Sequence, residues 1–161
     1  MNFSFCPCCA SALRVKWIDA RERQVCSNDC GFVRWNNPVP VVAGLIVYAG
    51  RALLVRQSNW PEKWFGLVTG FLEEKEEPAD AIAREIREEL GLHAQKVSWI
   101  GEFAFPEQNQ LILAYAVACE GELLCSAEIS EFKLIELSDL RPWPFGTGKA
   151  VKAWLEQRAA P

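Results

Sequence analysis

Apolar positions along the chain change their period from segment to segment, and the changes mark out the elements. VPVVAGLIVY, residues 39–48, is an almost unbroken run rich in Val and Ile, the pattern of a buried strand. It turns at Ala49-Gly50 and continues as ALLVRQ, so the two predict a hairpin. Residues 64–72 predict a third extended stretch. From Pro78 to Leu90 the pattern becomes helical: proline stands at a favoured first-turn position, and Gly91 follows as a C-terminal stop. Further strands are predicted over 97–105, 111–119 and 132–136. A closing helix over 149–158 carries Val151, Trp154 and Leu155 on one side. Strands mixed with two helices predict an α/β fold in which a mixed sheet is covered on both faces.

The amino-terminal segment follows a different logic. Asn36-Asn37-Pro38 reads as a joint, dividing the chain into 1–37 and 38–161. Cys6-Pro7-Cys8-Cys9 and Cys26-Ser27-Asn28-Asp29-Cys30 are two close pairs with 16 residues between them. The intervening LRVKWIDARERQV alternates loosely, as a two-stranded ribbon does. A segment this short cannot bury a core of its own, so a metal would take the core's place. Tetrahedral Zn²⁺ wants four soft ligands, and Cys6, Cys9, Cys26 and Cys30 supply them. Cys8 competes with its neighbours for a place, and Ala10 stands where a knuckle glycine is expected. The alternative is a cluster of free thiols.

Composition narrows the class. The chain has 161 residues, 50% hydrophobic and 24% charged, with net charge −4, which excludes a disordered chain. It also excludes a generic nucleic-acid coat, which needs a basic excess. The longest apolar run, 39–49, is broken by Pro40 and Gly44 and falls well short of the ~20 residues of a membrane helix. The first residues lack a basic leader followed by an apolar core, so the cytoplasm is expected, where thiols stay reduced.

The acidity is concentrated. Eight acidic and three basic residues lie between Glu73 and Glu89, against 13 acidic and 14 basic elsewhere. On a helix at roughly 100° per residue, Glu85, Glu88 and Glu89 span an arc of about 100°. Ile82, Ile86 and Leu90 lie beside that arc, and Asp80 and Arg87 fall on the solvent side. The helix can therefore bury its apolar stripe and still point three carboxylates into a cleft. Like charges this close repel, and Arg84 and Arg87 are too few to pair with them all. A hard divalent cation such as Mg²⁺ or Mn²⁺ removes the penalty; a solvated acidic face is the alternative.

The longer pattern decides between them. Gly70, five residues, Glu76, seven residues, then Arg84-Glu85-Ile86-Arg87-Glu88-Glu89-Leu90-Gly91-Leu92 resembles the Nudix box of the pyrophosphohydrolases. The resemblance implies a Nudix fold over residues 38–158. With its cysteine ribbon in front, the chain is similar to the branch that holds NADH pyrophosphatases and related zinc-ribbon Nudix hydrolases. It implies that Glu85, Glu88 and Glu89 bind metal, joined by the carbonyl of Thr69, and that Glu76 pairs with Arg84 as a structural clamp. Gly70 is expected to let the chain turn tightly from strand to loop. A further ligand or base is implied before the penultimate strand, with Glu128 the first choice and Glu131 the second. The expected base is Glu89 or Glu128, and His93, just after the box, is incidental. Lys75 departs from the family, many members having glycine there.

The family chemistry is hydrolysis of a nucleoside diphosphate linked to another group, X. The resemblance makes Phe71 a base-stacking residue, with a packed core side chain as its alternative. Residues 105–110 take the place of the loop that holds a specificity motif rich in Trp, Pro and Phe in NADH pyrophosphatases, with Gln108 and Gln110 as polar contacts. Trp143-Pro144-Phe145 matches that motif in letters but comes too late in the chain to be the same element. Trp60, Trp64 and Trp99 are expected in the core or an interface. NADH, FAD and ADP-ribose are the expected substrates, and homodimers are implied by the family alone. A nucleotide sensor that has lost catalysis is disfavoured because every box carboxylate is retained. A cap-directed enzyme whose ribbon grips RNA is disfavoured because residues 1–40 hold only five basic residues against three acidic.

Overall fold

The computed structural model describes residues 3–159 and divides into two compact units, Met1–Asn37 and Pro38–Pro161. In the first, β1 (Leu13–Ile18) and β2 (Arg21–Cys26) pair antiparallel, and β3 (Val33–Arg34) adds a short third strand that the sequence pattern did not predict. Asp19 and Ala20 are both left-handed, the hairpin geometry that matches the twist of the flanking strands. Among the described residues of this unit, only Cys6, Val25 and Cys26 are buried apolar groups.

The second unit is built on β4 (Val39–Tyr48). Along its whole length β4 pairs in parallel with β8 (Gln110–Glu120), which in turn pairs antiparallel with β7 (His93–Phe105). Two strands share the opposite edge of β4. β6 (Val68–Phe71) takes residues 41–44, and β5 (Arg51–Gln57) takes residues 46–48 before pairing with β9 (Ile129–Glu136). The predicted hairpin forms, with Ala49 and Gly50 both at positive φ in its turn.

Strand alternation divides the core in two. Val42 and Ile46 of β4 and Leu53 and Val55 of β5 pack with Ile82, Ile86 and Leu90 of α1 (Pro78–Leu90). Ala43, Leu45, Ala52 and Leu54 pack on the other face with Val151 and Trp154 of α2 (Gly148–Ala159). The sheet is thus covered by one helix on each face, as the pattern predicts. None of the described helices is long and apolar enough to cross a membrane.

Three differences from the predicted elements have physical causes. The stretch over 64–72 is strand only at 68–71, because residues 57–64 curl through two turns, Trp60 N–H to Gln57 C=O and Trp64 N–H to Pro61 C=O. β7 begins four residues earlier than expected. It is an edge strand, so its polar positions stay wet and blur the apolar signal. β9 also begins earlier, at Ile129, through pairing with Gln57 of β5.

α1 lies close against β4 because Gly44 has no side chain. A Cβ there would approach Ile82 Cδ1 to 2.9 Å, so the fully buried Ile82 side chain would have to shift within the core. Gly44→Ala is expected to lower stability by about 1–3 kcal/mol, read as a shift in the denaturant midpoint with unchanged slope.

Candidate active site

Burying Ile82, Ile86 and Leu90 fixes the rotation of α1, and that rotation grades its carboxylates. The Glu88 side chain is 56% exposed and that of Glu85 15%, while Glu89 as a residue is only 4% exposed. Asp80 and Arg87 face solvent, as the helical wheel predicts.

One guanidinium organises three of the acids. Arg84 grips Glu76 through both oxygens, at 2.7 and 3.0 Å, and its Nη1 donates to Glu85 Oε1 at 2.8 Å and Glu88 Oε2 at 3.2 Å. Its Nη2 also donates to the Phe71 carbonyl at 3.3 Å, tying the end of β6 to the helix. The two-oxygen grip holds the Glu76 carboxyl below the usual range. For Glu85, burial outweighs the arginine and pushes the carboxyl upward.

Arg84 does not reach Glu89. Its Oε2 is buried without a hydrogen-bond partner. Burial, helped by the charges of Glu85, Glu128 and Glu88, raises its carboxyl to about 8. A buried acid with an unused acceptor, amid three other carboxylates, is the electrostatic environment of a divalent cation site.

Gly70 serves this arrangement in another way than the tight turn expected. It lies within β6, outside the left-handed region, and a Cβ on it would fall 2.0 Å from Glu85 Cδ. The absent side chain is the space in which Glu85 sits. Left-handed backbone appears instead at Lys75, with φ 66, which explains why glycine suits that place. The Lys75 side chain is exposed and pairs with Glu74 at 3.1 Å.

Glu128 is brought in by the end of α1. The carbonyls of Glu89 and Leu90, left over at the helix terminus, accept from Ser126 N–H at 2.8 Å and Leu124 N–H at 2.9 Å. Glu128 follows, its carbonyl held by Ser58 N–H at 2.8 Å, and it lines the same cleft as Glu85 and Glu88. Glu131, the second choice, is instead paired with Arg56 at 3.2 Å on the β5–β9 ladder. His93 is exposed at the start of β7 and does not line this cleft.

The cleft has a volume of about 890 Å³. Thr69, Phe71, Gln108 and Gln110 line it together with Glu85, Glu88 and Glu128, whereas the buried Glu89 is not part of its lining. Phe71 is 62% exposed and is no core residue. Trp60 and Trp64 also line the cleft, which corrects their expected place in a core or interface. Trp99 lies elsewhere, edge-on to Tyr115 with centroids 5.1 Å apart. Sequence reasoning also left Trp143 and Phe145 outside the site, yet both line the cleft. Their only signal was the dense spacing of aromatic and proline residues just before α2.

In the first unit, Cys6, Cys9, Cys26 and Cys30 gather with their sulfurs within 4.8 Å of one another, while Cys8 lies outside the group. Cys6 and Cys30 sulfurs are 3.5 Å apart, and those of Cys9 and Cys26 are 3.4 Å apart. Four thiols so placed can hold a metal ion. Ala10 is left-handed, at φ 57, which is why glycine is the expected residue after such a pair.

The NUDIX domain family model matches residues 38–154, and the chain belongs to the NUDIX domain family. The NAD-capped RNA hydrolase NudC of Pseudomonas putida is 26% identical over 145 residues, 88% of this chain and 51% of that protein. The protein of the same name from Mycobacterium tuberculosis is 42% identical over 67 residues, 42% of this chain and 21% of that one. The chain thus spans about half or less of the length of these relatives. A Nudix hydrolase from Nitrosomonas europaea shares the fold, with a TM-score of 0.78 at 18% identity over 99% of this chain and 95% of that one.

The raised Glu89 carboxyl has a consequence for stability. A carboxyl whose folded-state pKa lies above its unfolded value favours the folded form while protonated, and that advantage fades as pH rises through about 8. In chelator, from about pH 5 to about pH 9, the wild type should lose stability relative to Glu89→Gln. A constant difference in Tm across that range would assign the titration to another group.

Proposed function

We propose that the chain is a divalent-metal-dependent pyrophosphohydrolase acting on a nucleoside diphosphate linked to X, with FAD, NADH and ADP-ribose as the first substrates to assay. The observation that carries this reading is the buried, unpartnered Glu89 oxygen, which feels the charges of Glu85, Glu88 and Glu128, the three carboxylates that line a cleft of about 890 Å³. Glu85, Glu88 and Glu89 are the proposed ligands for Mg²⁺ or Mn²⁺, with the Thr69 carbonyl as a further one. A cation held by these residues would supply positive charge against the diphosphate and make the attacking water easier to deprotonate.

The chain's own groups do the rest. Arg84 ties Glu85 and Glu88 to Glu76, which orders two of the proposed ligands before any cation binds. Glu128, or Glu89 itself, takes the proton of the attacking water. Phe71 stacks on the nucleobase, and Gln108 and Gln110 offer amides to the substrate's polar groups. The proposed division of the chain is a zinc ribbon over 1–37 and a catalytic domain over 38–161. Four sulfurs around Zn²⁺ at its usual bond length lie ~3.8 Å apart, which the Cys6, Cys9, Cys26 and Cys30 set can adopt with little movement. The proposed compartment is the cytoplasm, where these thiols stay reduced.

Glu89→Gln should lower kcat by about 10²-fold or more while leaving far-UV circular dichroism unchanged. Near-normal turnover of FAD, NADH, ADP-ribose or NAD-capped RNA by that variant would sink the assignment. Capped RNA belongs in the assay because the curated relatives named above carry that activity in their names. Separately, elemental analysis should find about one Zn²⁺ per chain, lost in Cys26→Ser. A zinc-free wild type with intact ribbon structure would refute the metal site.

A further inference from the structure

The cleft carries a second set of rings that the reading above leaves unused. Trp64 and Phe145 come from loops far apart in sequence, yet their ring centroids are 5.5 Å apart with planes inclined at 45°. They are 52% and 48% exposed, and both line the cleft. Half-exposed rings gathered in a concave site form a surface that a planar apolar group can cover.

The loops that carry these rings are firmly placed. Trp64 N–H donates to Pro61 C=O at 2.9 Å, and the neighbouring Trp60 ring lies where a Cβ on Gly66 would come within 3.0 Å of it. On the other side, Gly148 N–H donates to Phe145 C=O at 3.1 Å. A Cβ on Gly148 would overlap the Trp143 carbonyl at 2.0 Å, so the loop 143–147 presses directly on the first turn of α2. Lys149 Nζ donates to Ala104 C=O at 3.1 Å, fastening that turn to the end of β7. A wall held by these contacts is already in shape, so a ligand meets little ordering cost there.

Phe71 is a separate station. It ends β6, directly after Gly70, and so belongs to a different element from the Trp64–Phe145 pair. One nucleobase needs one stacking station, and the Trp64–Phe145 pair gives the cleft a further one. We propose that Trp64 and Phe145 form a second ring subsite, which takes a planar heterocycle in the X half of the substrate. The inference rests on the pyrophosphohydrolase reading for its first station and for the diphosphate between the two. It makes two-ring substrates such as FAD and NADH better ligands than ADP-ribose, whose X half is a bare sugar.

The test compares ligands within each protein. With metal chelated to prevent turnover, FAD or NADH should bind wild type about tenfold or more tightly than ADP-ribose. Trp64→Ala and Phe145→Ala should collapse that ratio, Phe145→Leu should lower it while keeping apolar bulk, and Trp64→Phe should largely preserve it. With Mg²⁺ restored, the kcat/KM ratio of FAD to ADP-ribose should fall in parallel, chiefly through KM. Equal affinity for one-ring and two-ring ligands in wild type, or a ratio untouched by the ring deletions, overturns the subsite. A wild type that shows the binding preference but hydrolyses none of the ligands overturns the pyrophosphohydrolase reading and leaves the subsite standing.

Discussion

One arginine answering three carboxylates is the interaction on which the cleft depends. Arg84 reaches Glu76, Glu85 and Glu88 from a single guanidinium and also holds the carbonyl at the end of β6. Its planar fork of donors makes this possible, since a lysine, with three donors on one nitrogen, could not make all five of these bonds. The charge remains unbalanced, because one cation faces three anions and Glu89 stands behind them unpaired. Helix and loop are thus held in a geometry whose electrostatics are incomplete without further positive charge. The proposed metal requirement follows from that deficit.

The scaffold makes the deficit tolerable. Ile82, Ile86 and Leu90 commit α1 to the sheet by apolar burial, so the acids are carried by a helix whose stability comes from elsewhere. Two glycines let it come close: Gly44 opens space for Ile82, and Gly70 opens space for Glu85. The divided edge of β4 matters as well. Because β6 covers only residues 41–44 and β5 takes over at 46, the two strands part, and their connecting loop is free to line the cleft.

What was legible in the sequence was whatever depended on local pattern. The bounds of α1 could be read from Pro78 and Gly91, and the shared arc of Glu85, Glu88 and Glu89 from helical spacing, though not their graded burial. The bidentate grip of Arg84 on Glu76 was implied by the box and is present at 2.7 and 3.0 Å. Features set by long-range contact were not legible. Gly70 looked like a turn residue because its true neighbour, Glu85, is fifteen positions away and touches it only through the fold. Trp60 and Trp64 looked like core because aromatic content says nothing of which side of a loop faces a cavity. The edge strand β7 hid its first residues behind polar side chains that solvent accepts.

Charge and shape at this cleft are carried by different parts of the molecule. The acids stand on α1 and beside its end, locked to the sheet by the core, whereas Trp64 and Phe145 ride on loops outside the regular elements. Loops tolerate sequence change far better than a packed helix. The two properties can therefore diverge along separate lineages: substitutions at 58–65 or 141–147 can alter what the cleft grips while leaving the carboxylate array intact. Descendants of this scaffold can exchange one ligand for another without first dismantling the apparatus that acts on it.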